Sequence, residues 1–499
     1  QQITVAEMLQ RMGLDPDTVQ QQMQRQAMQA FDREMAQGPY YESWRLDGDF
    51  SQMRMDTLEY NELENLCLIK YELDKRGYKT EIRYIEDARN ALAVKPQIHA
   101  KVLCIMACYN DQTLNWQAKE FVTFDKIIDM QWENIVYPGD EKRKGAYKNY
   151  SGIGKEAVRV SWGKQNKKRM LDVVKMDPRK LKVIGHVGMD FLREPLNRYY
   201  LSRTELFEKY QIPQDKEVVL FASPYYGDCL EESYIQEMCM RFGQNWADYY
   251  EFMCRSQEIV LSWMEQILKK DDNICFVFRP HPGHPSRSAE RLAEKYQNFK
   301  IISGESVKQW IVTCDKVYTG NSSVIVEAFF AKKMCQLLFP LPITEGYKLA
   351  LLDHSTEITS YEGFEKSIYA KEEAFPIPKE NIEEIYLIDF EEPSYVKFAD
   401  MAQEVLREDY YRISKEALRA YKPHYTGLTA VSKAVSRCGA VHGLYMKLID
   451  NQKLTWPILE KQRKKRAHVY EIEKEHENEL TSEKEIAEII KRIKNACEA

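Results

Sequence analysis

The apolar positions between Glu217 and Pro340 alternate between short continuous runs and helical spacing. The runs EVVLFA, NICFVF and MCQLLF are typical of buried strands, and the segments between them, such as SRSAERLAEKYQ, SVKQWIVTC and SSVIVEAFFAKK, have the apolar period of helices. Such a regular alternation predicts a parallel, doubly wound sheet, because each crossover helix packs on one face of the sheet. One α/β half of nucleotide-binding type is therefore expected here.

A less regular version of the pattern precedes it. Residues 63–85 predict a helix, a stop at Gly77 and a strand, while His99–Tyr109, Phe124–Glu133 and the start of Lys180–Leu192 predict further strands. The charged segment Arg193–Lys216 is predicted to link the two patterns. The fold class is therefore predicted as α/β with two Rossmann-like halves.

The patterns divide the chain into four predicted regions. They are a Gln- and Met-rich helical N-terminal extension (1–55), an N-terminal Rossmann-like domain (56–200), a C-terminal Rossmann-like domain (201–375) and a mostly helical C-terminal region (376–499). The charge-dense end of the last region, Arg463–Ala499, is predicted as solvated helix. Contact of its basic run Lys461–Arg466 with an anionic membrane surface is a second interpretation.

Composition narrows the class of protein. The chain has 499 residues, a net charge of −6 and 44% hydrophobic residues, which gives no electrostatic reason to expect a nucleic-acid partner. Neither a membrane-spanning apolar run nor a signal peptide is visible, so we expect a cytoplasmic protein, with the inner face of the membrane as an alternative location. The eleven cysteines form no CxxC pair and are expected to be free thiols.

Three polar loops follow predicted strands of the second half, at the edge where parallel sheets bind ligands. They are Ala222–Ser233, Arg279–Pro285 and Thr319–Ala328. In the third loop Gly320 makes the turn, and Asn321, Ser322 and Ser323 place side-chain oxygens and backbone N–H groups at a helix start. That arrangement suits a phosphate, although an ordinary helix cap has the same residues.

Further candidates for ligand binding lie close to these loops. Arg279 and His281 carry donors that suit phosphate oxygens, while a turn histidine is the alternative for His281. His284 is predicted to be a surface loop residue. Glu327, four to five residues into the helix, is expected either to accept hydrogen bonds from a ribose or to face solvent.

FRPHP, followed about forty residues later by YTGNSSVIVEAFFAKK, resembles the donor-binding half of GT-B glycosyltransferases that use CMP-activated sugars. This group includes bacterial sialyltransferases, polysialyltransferases and transferases of 3-deoxy-manno-octulosonic acid (Kdo). The broader resemblance is to bacterial surface carbohydrate biosynthesis proteins, in which FDKIIDMQWE, VSWG and VIGHVGMDFL also have similar counterparts. The resemblance spans roughly residues 60 to 345, and CDP-glycerol and related teichoic-acid transferases share a similar motif pair.

The resemblance implies a GT-B fold, with two Rossmann-like domains facing a cleft. The first would bind a glycan or glycolipid acceptor and the second the CMP-sugar donor. It implies a metal-independent enzyme without a cofactor that transfers Kdo, a sialic acid or a related nonulosonic acid to a cell-surface glycan. His281, Pro282, Ser322 and Ser323 would bind CMP. Reasoning from the residues adds four more candidates to the donor site: Arg279, Gly320, Asn321 and Glu327.

Transfer also needs a group that activates the acceptor or attacks the anomeric carbon. Asp228 is the first candidate and Glu133 the second, because both carboxylates follow predicted strands. His281 is expected to support departure of the CMP phosphate. The tripeptide DGD at Asp47–Asp49 lies in a polar segment and is interpreted as a turn rather than a metal site.

Two other functions remain open at this point. One is a CDP-glycerol- or CDP-ribitol-type phosphotransferase of the teichoic-acid kind. The other is a non-catalytic scaffold, in which the C-terminal helices would join copies of the chain or other polysaccharide enzymes.

Overall fold

A computed structural model provides the structure of the chain. It describes residues 56–82, 98–111, 114, 122–131, 134–135, 150–225, 235–236, 239–240, 245–280, 286–343, 346–421, 444, 447–451, 453–457, 459–460, 463–464 and 483–498. The predicted N-terminal extension, 1–55, lies outside the described residues.

The N-terminal half is built on a sheet whose four described strands are all parallel. Their order in the sheet is β1-β2-β3-β4, with bounds β1 Ile98–Ile105, β2 Val122–Asp129, β3 Val158–Ser161 and β4 Leu181–Val183. The α-helices of this half are α1 Asp56–Lys75, α2 Ile153–Glu156 and α3 Lys164–Arg169. A π-helical turn follows at Met170–Val174, and 3-10 turns lie at Pro178–Lys180, Val187–Leu192 and Leu196–Tyr199.

The C-terminal half contains a six-stranded sheet, again with every described pair parallel. Its strands are β5 Glu217–Ala222, β6 Ile274–Arg279, β7 Phe299–Ile301, β8 Lys316–Thr319, β9 Cys335–Leu338 and β10 Glu357–Ile358. The order β7-β6-β5-β8-β9-β10 is the 3-2-1-4-5-6 order of dinucleotide-binding folds. The helices are α4 Arg203–Tyr210, α5 Asn245–Leu268, α6 Arg287–Lys295, α7 Val307–Thr313, α8 Val324–Phe330 and α9 Tyr361–Tyr369.

The described helices of the region 376–499 divide between the two halves. They are α10 Lys379–Ile385, α11 Ser394–Arg407, α12 Lys415–Tyr421 and α13 Glu483–Glu498. The apolar side chains of α10 join the core of the C-terminal sheet, whereas those of α11 and α13 join a core with α1. The chain therefore returns to its N-terminal half after completing the C-terminal sheet.

The two halves touch directly next to β3. The amide of Leu387 donates to the carbonyl oxygen of Trp162 at 2.6 Å, and the Trp162 ring stacks on Tyr386 with centroids 5.3 Å apart. A Cβ added to Gly163 would lie 2.5 Å from the backbone of Ile385, so only glycine permits this approach. The carboxyl ends of the N-terminal strands thus face the C-terminal half.

The prediction of an α/β chain with two Rossmann-like halves is confirmed. The strands predicted at residues 99–109, 124–133 and 180–185 appear as β1, β2 and β4, each shorter or shifted by a few residues. Two local predictions differ. Residues 78–82 form no strand, and residues 83–85 lie outside the described part. The linker Arg193–Lys216 contains α4, which begins after a capping box formed by Ser202 and Glu205.

The prediction that the tail is a solvated helix is wrong for α13. Ile489, Ile493 and Ala496 are buried in the core formed with α1 and α11. These three positions are spaced four and three residues apart, so they form one apolar stripe of an amphipathic helix. Because many of the other positions in the segment are charged, this apolar stripe was not recognised in the sequence.

Candidate functional site

The C-terminal sheet has its switch point between β5 and β8, from which the strand order runs outward in both directions. The Thr319 hydroxyl at the end of β8 donates to the carbonyl oxygen of Ala222 at 2.8 Å, which joins the ends of these two strands. The amide of Ser223 donates to the carbonyl oxygen of Arg279 at 2.9 Å, which adds the end of β6. In α/β sheets the crevice outside such a switch point is the usual ligand site.

Gly320 follows β8 and lies against Pro224 and Tyr225, which follow β5. A Cβ at this position would lie 2.8 Å from the Tyr225 hydroxyl oxygen and 2.9 Å from Pro224 Cγ. Tyr225 is fully buried, and its hydroxyl donates to the carbonyl oxygen of Leu338 at 2.5 Å. The tyrosine therefore cannot move aside, and lack of space is the reason for glycine here.

Replacing Gly320 with alanine is expected to lower the free energy of unfolding by about 1–3 kcal/mol, the usual cost of overpacking a closed core. Urea denaturation measures the change. Gly363→Ala is the matched control, because Gly363 lies in helix α9 and its added Cβ would come no closer than 3.4 Å to a neighbour. An unchanged denaturation midpoint for Gly320→Ala would show that the Tyr225 contact is not rigid.

Asn321 uses its side chain to hold a neighbouring segment. Its Nδ2 donates to the Tyr347 carbonyl oxygen at 2.8 Å, and its Oδ1 accepts from the Leu349 amide at 2.9 Å. Ser322 Oγ accepts from the Val324 amide at 3.3 Å, whereas Ser323 is exposed and its side chain makes no capping bond to α8. The two serines thus retain hydroxyl donors for a ligand, and the role of Asn321 as a ligand contact stays a prediction.

Arg279 ends β6 with a buried guanidinium. Its two terminal nitrogens donate to the carbonyl oxygens of Gly304, at 2.9 Å, and Glu305, at 2.5 Å. Burial lowers the pKa of this guanidinium to about 10. The side chain therefore fixes the loop between β7 and α7, and two of its donors are occupied there.

Of the remaining predicted site residues, Glu327 lies in the described part of the chain and four others do not. The pKa of the Glu327 carboxyl is raised by burial, while the charges of Lys308 and Arg279 act in the opposite direction. Glu327 thus faces a charged, partly buried region between the halves. His281, Pro282, Asp228 and Glu133 lie outside the described residues, and their roles stay predictions.

A second polar group lies at the carboxyl ends of the N-terminal strands, and none of its members was among the predicted site residues. His186 follows β4 and lies against Trp162, which follows β3, with ring centroids 4.3 Å apart. Its Nδ1 accepts from the Gly188 amide at 3.0 Å. Burial and the nearby Lys308 charge lower the pKa of His186 to about 3, so the ring is neutral at pH 7 and carries its proton on Nε2.

Lys308 and Glu64 complete this second group from other elements. Lys308 belongs to the first turn of α7, and Glu64 to α1, where its Oε1 accepts from the Tyr199 hydroxyl at 2.9 Å. The sequence feature that could have identified this group is the histidine of VIGHVG, His186, because it follows a short predicted strand. No local signal marks Lys308, because its burial results from contact between the halves.

Metal and membrane features can be judged for the described residues alone. Within these ranges no group of three or more His, Cys, Asp or Glu side chains is arranged to hold a metal ion. A helix long and apolar enough to cross a membrane is likewise missing from the part of the chain that the structure describes.

Comparisons with known proteins give weak structural likenesses. No protein-family model matches the chain, and no curated protein matches it. A variant of the wall teichoic acid polymerase TagF is 15% identical, with 62% of this chain and 73% of that chain covered and a TM-score of 0.42. UDP-GlcNAc 2-epimerase from Neisseria meningitidis, bound to UDP-GlcNAc, is 12% identical, with coverages of 62% and 76% and a TM-score of 0.37. Likenesses of this size assign no substrate.

Proposed function

We propose that the chain is a glycosyltransferase of surface-glycan biosynthesis that uses a cytidine-nucleotide donor. In the form favoured by the motifs, it transfers a 3-deoxy-ulosonic acid such as Kdo or a sialic acid from CMP to a glycan acceptor without a metal ion. The donor binds at the switch point of the C-terminal sheet. The acceptor approaches from the carboxyl ends of the N-terminal strands.

The observation that carries this proposal is the position of the serine pair. Ser322 and Ser323 lie at the end of β8, beside β5, in a sheet with the strand order of dinucleotide-binding folds. This is where a parallel α/β sheet binds a nucleotide phosphate. The resemblance of FRPHP and TGNSS to the motifs of CMP-sugar transferases supports cytidine as the base.

The chemistry assigns different tasks to the two sides of the site. CMP is a good leaving group, so the donor side chiefly stabilises the phosphate charge that develops as the bond to the sugar breaks. Ser322, Ser323 and His281 supply hydrogen-bond donors for that charge. Asp228, which follows β5 on the donor half, or Glu133, from the N-terminal half, removes the proton of the acceptor hydroxyl, or acts as nucleophile if configuration is retained.

CMP is expected to raise the melting temperature of the protein. At a concentration one hundred times the dissociation constant, binding to the folded state alone stabilises it by about 2.7 kcal/mol. Differential scanning fluorimetry with CMP, UMP, UDP and GMP measures the selectivity, and each titration is repeated with EDTA. A shift with UDP and none with CMP would contradict a cytidine donor, and loss of the CMP shift in EDTA would contradict metal independence.

A CDP-glycerol- or CDP-ribitol-type phosphotransferase is the second candidate, because the same motif pair occurs in teichoic-acid transferases. CMP binding does not separate the two, since both donors contain cytidine. Turnover does: the protein is incubated with CMP-Kdo, CMP-sialic acid or CDP-glycerol, and slow hydrolysis of each donor is measured. If CDP-glycerol is hydrolysed and neither CMP-sugar is, the protein is a phosphotransferase and the proposal of a glycosyltransferase is wrong.

A further inference from the structure

A buried lysine lies where the two halves meet. Lys308 is only 2% exposed, and its Nζ lies 2.8 Å from the point that a Cβ on Gly188 would occupy. The same point lies 2.7 Å from His186 Cε1 and 3.0 Å from Asn65 Oδ1. An ammonium, an imidazole and an amide from three different elements therefore converge beside one glycine.

The ammonium of Lys308 differs from other buried lysines in what surrounds it. In the part of the chain that the structure describes, Lys308 Nζ makes no hydrogen bond and has no carboxylate oxygen within 4.0 Å. By contrast, Lys126 Nζ donates to the carbonyl oxygens of Val405 and Leu406, both at 2.8 Å, and Glu408, at 2.9 Å. Lys316 Nζ donates to the Ile368 carbonyl oxygen and pairs with Glu217 at 2.8 Å.

Two carboxyl groups influence Lys308 from a distance without saturating it. Glu64 and Glu327 interact with its charge, but burial raises the pKa of both carboxyls, which weakens them as counter-ions. Glu64 Oε2 is buried and receives no hydrogen bond from the described residues. Lys308 Nζ is not among the fully enclosed nitrogen and oxygen atoms that lack a partner in the described residues, so solvent reaches the ammonium and an anion that binds there would replace that water.

The surroundings of Lys308 suit an oxygen atom of an anion. His186 and Asn65 also line a neighbouring cavity of about 30 Å³, which has room for one group the size of water but is not lined by Lys308. His186 carries its proton on Nε2, so a second donor lies beside the ammonium. Two further cations of this region are already engaged: Arg279 donates to two carbonyl oxygens, and Arg492 donates to the Tyr199 carbonyl oxygen.

We propose that Lys308 binds one phosphate oxygen of the activated donor in the cleft between the halves, with His186 as a second donor to the same group. This assignment rests on the proposed function for the identity of the donor. It adds a cation from α7, on the C-terminal half, that the sequence motifs do not contain. Because Lys308 contacts the Gly188 segment of the other half, the donor phosphate would bind where both halves contribute.

The test compares Lys308→Met with wild-type protein by scanning fluorimetry and by calorimetric titration, using CMP and inorganic pyrophosphate as probes. Methionine keeps the length and apolar stem of lysine but removes the charge. Loss of a charge-assisted hydrogen bond is expected to weaken binding of both probes by roughly 10- to 150-fold. Without a probe, the variant should melt near the wild-type temperature, because Lys308 Nζ makes no hydrogen bond to the described residues.

Lys316→Met is the matched control, since Lys316 is also a buried lysine but its ammonium is satisfied within the protein. It should lose stability and keep wild-type affinity for both probes. Unchanged affinity in Lys308→Met would overturn the assignment, even if wild-type protein binds CMP. If wild-type protein binds pyrophosphate through Lys308 but binds no cytidine nucleotide, the proposed function fails and the anion site stands. No binding of either probe to wild-type protein would overturn both.

Discussion

Replacing Arg159 with methionine is expected to lower the free energy of unfolding by about 3–5 kcal/mol, the usual cost of leaving one member of a buried ion pair without its partner. Arg159 and Asp129 side chains are both 0% exposed, and NH1 of the arginine lies 2.5 Å from Oδ2 of the aspartate. NH2 of Arg159 donates to the carbonyl oxygens of Cys108, at 2.9 Å, and Gly154, at 3.1 Å. The pair therefore joins β2, β3 and the loop after β1.

The loss in Arg159→Met is expected to depend on pH. Burial raises the pKa of Asp129 in the folded state, and the charge of Arg159 opposes that rise. Removing Arg159 therefore raises the folded-state pKa further above the unfolded value. An acid whose pKa is raised on folding destabilises the folded state increasingly as pH rises from the unfolded pKa to the folded one. The variant should recover part of its stability as pH falls through that window.

Urea denaturation of the whole protein at several pH values measures both the loss of stability and its pH dependence. The double variant Asp129→Asn, Arg159→Met is the control, because asparagine keeps an acceptor for the Cys108 amide, which donates to Asp129 at 2.7 Å, but carries no charge. It should be more stable at pH 7 than Arg159→Met alone. A small, pH-independent loss in the single variant would mean that water reaches Asp129.

The same ion pair explains why β3 was not predicted as a strand. Val158–Ser161 places an arginine in a strand that is buried at every position. A charged residue interrupts the apolar run that identifies a buried strand in the sequence. Its counter-ion lies thirty residues earlier, at Asp129, so the local pattern contains no sign that the charge is neutralised. By contrast, β5, β6 and β9 have no charged residue in their interiors and were predicted from their apolar runs.

The sequence predicted the strand ends at which the candidate site lies, but not the contacts of its side chains. Strand ends followed by Gly320 and two serines mark the edge of a parallel sheet, and that edge is formed as expected. The sequence could not show that Arg279 donates to Gly304 and Glu305, because these contacts form only when β7 and α7 are in place. It also could not reveal Lys308, which is an ordinary helix residue until the other half covers it.

The C-terminal tail shows the same dependence on distant contacts. Arg492 of α13 donates to the Tyr199 carbonyl oxygen at 2.8 Å and lies 4.1 Å from the centroid of the Tyr199 ring. The Tyr199 hydroxyl in turn donates to Glu64. A helix that the charge pattern assigned to solvent thus packs beside the residues next to Lys308. This position makes α13 part of the core of the N-terminal half, and the scaffold interpretation of the C-terminal helices stays a prediction.

Replacing His281 with alanine is expected to reduce turnover of the donor roughly 30- to 800-fold, because loss of one donor to a developing phosphate charge costs about 2–4 kcal/mol in the transition state. Folding should change little, since both described flanks of the loop are anchored. Arg279 is fixed by its two carbonyl contacts. Ser286 accepts from Gln257 Nε2 at 2.9 Å and caps α6 through the Ala289 amide at 3.2 Å.

The measurement pairs hydrolysis of a CMP-sugar with the melting temperature for His281→Ala and for His284→Ala. The two variants remove the same side chain from one short loop, so they differ only in which imidazole is lost. Pro280 and Pro282 flank His281 and restrict its backbone, which favours a fixed direction for this imidazole over that of His284. A donor role predicts lost turnover with an unchanged melting temperature in His281→Ala alone. A turn histidine predicts the opposite result, a lower melting temperature with normal turnover, and that outcome would reduce FRPHP to a structural turn.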